Sequence, residues 1–357
     1  MRFENRNRVS TLRRSAVLLA VSVALAACDD DDTGTGPATP DETAEVTVDA
    51  SAAPGYVRLD PEPTVVAVTD PSTSTAWDLS FLATGVTLNG GAAGPGGVTG
   101  YCICQNANAT DAEVMAMTPE SELAAFEAVD EGDIPGDASF VADELQPAIS
   151  DWFTGTPGPT ATAVSTRNWI IRKGTTSPVL AKFRVTSISG ATAESAGSLT
   201  FEYAIQPSAG AEFGATETRT VNVGTTPVYF DLTTGDESDA TTWDIRFSGW
   251  DIQLNGGASG TGGVSAVVDE STPFAQITST YASMVPPQAF RSDAFGGVFS
   301  ESPWYRYNIT GSDNQIWPTF NVYLIKRGAE VHKVQLISYY STSGQPRHIT
   351  LRSARLR

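Results

Sequence analysis

WDIRFSGWDIQLNGGASGTGGV, residues 243–264, repeats WDLSFLATGVTLNGGAAGPGGV, residues 77–98, at a constant offset of 166 with twelve of 22 positions identical. Ungapped identity over that length marks an internal duplication, and the period sets the architecture. In the second copy Trp243, Ile245 and Phe247 alternate with Asp244 and Arg246, the pattern of a strand with one face inward. LNGGASGTGGV then places five glycines in eleven residues. Asn-Gly suits a tight hairpin turn, and further glycines permit positive φ. A phosphate cradle needs Gly-Lys-Ser/Thr leading into a helix. Neither follows here, so the sequence predicts a flexible hairpin.

Working outward, NWIIRKG (168–174) matches VYLIKRG (322–328). PVLAKFRVTSI (178–188) matches EVHKVQLISYY (330–340) around Lys182 and Lys333, and SLTFEYA (198–204) matches HITLRSA (348–354). Trp152 and Trp304 precede these strands at equivalent places. Period-2 stretches dominate, which predicts an all-β chain, mainly antiparallel with few short helices. The repeat divides it into two tandem homologous units, residues 50–206 and 219–357, joined by a linker at 207–218. ESELAAFEAVDEGD (120–133) is read as one short helix. The middle segments, 111–151 and 269–303, differ between the units, and variable loops on a repeated scaffold are where recognition sits.

The first fourteen residues hold five arginines against one acid, and an apolar run follows from Ala16 to Ala27. That run is shorter than the ~20 residues a bilayer span needs. A basic start, a short apolar core and small residues before a cut describe a signal peptide over 1–27. Leu25-Ala26-Ala27-Cys28 resembles a lipobox, which implies a lipidated Cys28 and a membrane anchor through acyl chains. Residues 28–49 carry eight acids and no base, the composition of a disordered stalk. The expected location is the cell envelope, at the outer membrane or cell surface, with a periplasmic-facing anchor as the alternative.

The net charge of −19 makes the surface a poor partner for nucleic acid. No nucleophile stands with a nearby base in the pattern that hydrolytic chemistry needs, so no enzyme is read. Cys102 and Cys104 either pair in a tight ring, remain thiols, or offer two soft ligands from one strand face.

The order of these elements resembles the HmuY family of haem-binding bacterial lipoproteins. YFDLTTG (229–235), WDIRF, the LNGG loop, the Trp304 segment and YLIKRGAEVHKVQLISYY (323–340) carry the resemblance, and the first unit shows it more faintly. It implies a mainly β fold that captures haem or a related tetrapyrrole and passes it to an outer-membrane transporter. It also implies two axial ligands, His or Met, from loops flanking the Trp304 position. Residues 286–303 and the stretch YRYNITGSDNQ after Trp304 hold neither. Met284 is the candidate in the second unit, with Met115 and Met117 in the first. Tyr281, Phe290, Trp304, Tyr305, Tyr307 and Trp317 either line an aromatic slot or form core. Arg291 and Arg306 are placed for propionates. If 331–340 and 347–355 form a hairpin, His348 faces Tyr339, seven residues and roughly 23 Å from His332. Two imidazoles on one iron stand roughly 4 Å apart, so this pair cannot clamp a haem. The functional expectation is a ligand-binding lipoprotein for haem or another small hydrophobic molecule. The alternative is a surface module for protein or glycan that has lost haem binding.

Overall fold

The computed structural model describes residues 43–357. The signal peptide, Cys28 and the stalk as far as residue 42 lie outside the described residues. Among these residues the chain is mainly antiparallel β-sheet with four short α-helices. None of the described helices is long and apolar enough to cross a membrane.

Two five-stranded sheets form the frame. The first runs Ala44–Asp49, Pro346–Arg355, Glu330–Tyr340, Val322–Arg327, Val98–Cys102. The second runs Glu217–Val223, Gly197–Ile205, Val179–Ser189, Asn168–Lys173, Ser265–Asp269. In each, the three central strands come from the end of one repeat and the two outer strands from the start of the other. The sheets therefore do not divide at 207–218. An inserted body has its core on residues between Ile149 and Ala266. An outer body draws its core from Val48–Val98 and Val298–Leu351.

Loop closure explains this exchange. Pairing Gly197–Ile205 with Glu217–Val223 closes a connection of 11 residues. Returning to Ala44–Asp49 would close one of well over a hundred, at a higher entropic cost. Sequence similarity identifies equivalent segments and is silent on which copies pair. The chain crosses between the bodies twice, and the two crossings pair with each other, Ala294–Gly296 against Glu144–Gln146.

Each body adds a four-stranded sheet carrying its W-D strand. In the inserted body Phe201 meets Phe230 edge-on at 5.1 Å and stacks on Phe247 at 5.3 Å. All three are fully buried, each contributing about 2–3 kcal/mol by burial. The exchange recurs in polar detail. Trp152 Nε1 donates to the Trp250 carbonyl at 3.2 Å and Trp304 Nε1 to the Thr84 carbonyl at 2.9 Å. Buried Lys333 donates to the carbonyls of Phe126, Glu127 and Val129 at 2.8–3.2 Å. Its counterpart Lys182 reaches the Phe274 carbonyl at 3.0 Å.

Three expectations need correction. Residues 44–49 form an edge strand on Pro346–Arg355 rather than stalk, because Val46 and Val48 supply the alternation that the surrounding acids conceal. The Gly-rich loops are tethered rather than flexible. Asn255 donates to the Trp243 carbonyl at 2.8 Å and accepts from Gly262 N–H at 2.9 Å, and Asn89 does the same with Trp77 and Gly96. A Cβ at Gly256 would stand 2.0 Å from the Val264 carbonyl oxygen, and one at Gly90 1.9 Å from that of Val98. In the final hairpin bulges shift the register, so Tyr340 faces Pro346 and Ser338 faces Thr350. The region 120–133 forms a helix, Leu123–Glu127, followed by a 3-10 turn, Glu131–Asp133.

Candidate functional site

The Cys-Ile-Cys motif ends the strand Val98–Cys102. Cys104 takes a left-handed φ of 56°, which turns the chain off the sheet, and its sulfur bonds Cys102 with the Cα atoms 5.0 Å apart. The loop that follows is pinned to the segment before Val322. Gln105 donates to the Phe320 carbonyl at 2.7 Å and accepts from Val322 N–H at 3.0 Å. Asn106 N–H donates to Asn321 Oδ1 at 3.1 Å, and its amide donates to the Thr319 carbonyl at 3.0 Å. Thr110 and Glu113 then form a reciprocal cap on the helix Asp111–Ala116, satisfying backbone donors that the first turn leaves open.

Two clefts share Asn106 in their walls. One, of about 310 Å³, is lined by Cys104, Asn106, Tyr305, Arg306, Thr319 and Asn321 among others. The second, of about 490 Å³, is lined by Gln105, Asn108, Glu113, Met117 and Glu122 as well as Asn106. Arg306 donates to Asp111 at 2.7 Å and to the Ala109 carbonyl at 2.5 Å, which fixes its guanidinium at the junction. Hydrogen bonds from the Thr110 backbone and hydroxyl hold the Glu113 carboxyl below its usual range, so this wall is anionic at neutral pH. The lining suits a ligand with polar or charged edges.

The inserted body carries an equivalent cleft of about 360 Å³, lined by Asp151, Arg167, Trp169, Glu270 and Arg291 among others. Glu270 stands where the outer body has Cys104, and Arg167 pairs with both Asp151 and Glu270. That ion-paired set differs from the disulfide-backed cleft.

Of the candidate residues, Tyr305 and Arg306 line the junction. Trp304 is buried core, 5.3 Å from Tyr305 and edge-on to it. Tyr307 is 57% exposed and bonds Asn314, while Trp317 donates to Asp313 at 3.1 Å. Met284 is 68% exposed and caps the helix Ser279–Ser283. That helix belongs to the inserted body, where Tyr281 and Phe290 pack around Ile170, Leu180 and Ile277. Arg291 bonds the carbonyls of Gln288 and Phe290. The single aromatic slot is therefore not assembled, because strand exchange puts Tyr281 and Phe290 on a different core from Trp304. Met115 lies at the surface, whereas Met117 lines the larger cleft. His332 is buried in the outer sheet and His348 stands 3.8 Å from Asp49. Even with the bulges, the six residues from His332 to Ser338 span roughly 20 Å, and the two histidines have different neighbours.

Sequence reasoning missed Asn106, Thr319 and Asn321, which have no chemistry of their own until the loop is folded against Val322. The Cys-Ile-Cys motif was the one available signal.

A family model described as HmuY protein matches residues 224–352. A HmuY-like protein from Bacteroides vulgatus ATCC 8482, assigned to haem binding, aligns at 15% identity over 36% of this chain and 83% of its own, with a TM-score of 0.16. A lipoprotein from Bacteroides fragilis NCTC 9343 aligns at 17% identity over 44% and 88%, also with a TM-score of 0.16. No curated protein matches. Residues 224–352 are thus HmuY-like by sequence.

Proposed function

We propose that this is an envelope-anchored binding protein of the HmuY type, whose two clefts at Asn106 take a tetrapyrrole. The carrying observation is the junction itself. Tyr305 and Arg306, directly after Trp304 in the HmuY-like segment, line a cleft that shares Asn106 with the one holding Met117. Arg306 spends one N–H of each terminal nitrogen on Asp111 and the Ala109 carbonyl, and its remaining N–H groups are the donors for a propionate. Tyr305 offers a ring face to a macrocycle.

The residues at this junction do not include the His/Met pair that grips iron in the family. Met117 is the sole thioether lining either of the two clefts. Binding on this reading rests on the ring edges and not on the metal. Metal-free protoporphyrin IX is then expected to bind within about threefold of haemin, and Arg306→Ala to weaken both about tenfold, the value of one charge-assisted contact. Titration followed by the Soret band and tryptophan emission measures both. The absence of any spectral change with either ligand at micromolar concentration would falsify the reading.

The polar lining favours a second reading, a glycan-interaction module. Gln105, Asn106, Asn108, Glu113 and Glu122 in one cleft present amides and carboxylates, which match sugar hydroxyls. Oligosaccharide binding abolished by Asn108→Ala, in a protein inert to porphyrins, is its signature. The lipid anchor, a transporter as receiving partner and an outer-membrane location belong to the same proposal. They rest on the lipobox-like Cys28 and the HmuY resemblance.

A further inference from the structure

The two bodies of the duplication serve as mutual controls, and one cluster in the outer body has no counterpart in the other. Glu330 and His332 are two residues apart on the strand Glu330–Tyr340, so they share a face. Asp60 follows the strand Gly55–Arg58, held by the Leu59 N–H bond to Asp78 at 2.8 Å. One ligand atom from each of Asp60, Glu330 and His332 lies within 4.8 Å of the others. His332 is 4% exposed and the two carboxylates are half-buried. Strand register makes Thr233, Val179 and Ala181 their equivalents in the inserted body. Arg355, opposite His332, corresponds to Ile205, opposite Ala181. The fold therefore builds this corner without any of the four polar residues.

We propose that Asp60, Glu330 and His332 form a site for a divalent transition ion, with zinc the best chemical fit. One imidazole and two carboxylates are a borderline donor set of the kind zinc takes, with water completing the tetrahedron. Donors around such an ion stand about 3.4 Å apart when each bond is about 2.1 Å, so closing the set takes an adjustment of about 1.4 Å at most. Asp78 is neutralised by Arg58 at 3.6 Å and Arg327 at 3.5 Å. Asp60 and Glu330 share Arg355, at 3.4 and 3.9 Å, so these three carboxylates and three guanidinium groups balance. Each carboxylate has two oxygens, so receiving the guanidinium and ligating the ion are compatible.

The test uses the protein stripped with chelator and titrated calorimetrically with Zn²⁺, with bound metal counted after desalting. About one zinc per chain is expected. Asp60→Asn and His332→Ala each lower the affinity by about tenfold or more, and His348→Ala leaves it unchanged. The combined variant Asp60→Thr, Glu330→Val, His332→Ala, Arg355→Ile rewrites the corner as the inserted body has it. It should keep cooperative thermal unfolding and lose the zinc. No uptake by the unaltered protein overturns the proposal. So does undiminished uptake in the combined variant or in Asp60→Asn, the latter deciding the matter if the combined variant does not fold.

Discussion

Single buried polar side chains carry much of the specificity of this fold. Lys333 satisfies three carbonyls of the 126–129 turn, whereas Lys182 satisfies one. Removing the ammonium leaves those acceptors dry. Lys333→Met should cost about 3 kcal/mol and Lys182→Met about 1 kcal/mol, as measured by urea unfolding. Asp143 is a second such group. Burial pushes its carboxyl up to about 6, against the lowering effect of the Leu88 N–H bond. A carboxyl raised in the folded state binds more protons there than when unfolded. Its contribution to stability is complete below pH ~4 and fades as pH rises through ~6. Asp143→Asn retains an acceptor for Leu88 and should flatten that decline, worth about 3 kcal/mol, in unfolding curves at pH 4 and pH 7. At this scale the sequence was partly legible. Arg306 and Tyr305 follow from their place after Trp304. Asp143 gives no sign, because its neighbours arrive from 55 residues away.

Elements were the most legible part. Period-2 alternation located the W-D strands and the three closing strands of each unit, because each has one face in the core. The Gly-rich loops were placed correctly and their stiffness was not, since glycine content signals both mobility and close approach. Close approach governs here. Gly256→Ala is expected to lose about 2–4 kcal/mol, the cost of displacing the Val264 carbonyl. Gly224, beside which the structure leaves open space and which has no positive φ, should accept alanine within about 0.5 kcal/mol. Thermal melts of the two variants compare them directly. The disulfide is a weak staple by contrast, because its loop is three residues. Replacing both cysteines by serine should cost about 1.5 kcal/mol while releasing the 103–110 loop, seen as an altered near-ultraviolet spectrum.

For the whole molecule, the duplication was plain in the sequence and its spatial partition was not. The two lie on different levels, since identity relates segments and loop closure selects partners. It follows that 144–296, which crosses a repeat boundary, holds a complete sheet pair and core. Expressed alone it should unfold cooperatively. The fragment 219–357, a whole repeat, lacks the strand Val98–Cys102 that flanks Val322–Arg327 and should not fold as a monomer. Circular dichroism with sedimentation separates these outcomes, and a stable monomeric 219–357 contradicts the exchange.

The edge strand Ala44–Asp49 also decides how the molecule bears a pull. It runs antiparallel to Pro346–Arg355, with Ala44 opposite Ser353. Tension between residue 43 and Arg355, at the adjacent end of that partner strand, loads the ladder one rung at a time, like a zipper, and yields at low force. If a partner grips the inserted body instead, the load passes through the two crossing strands at 144–146 and 294–296. Where the chain is held thus determines which of its sheets opens first.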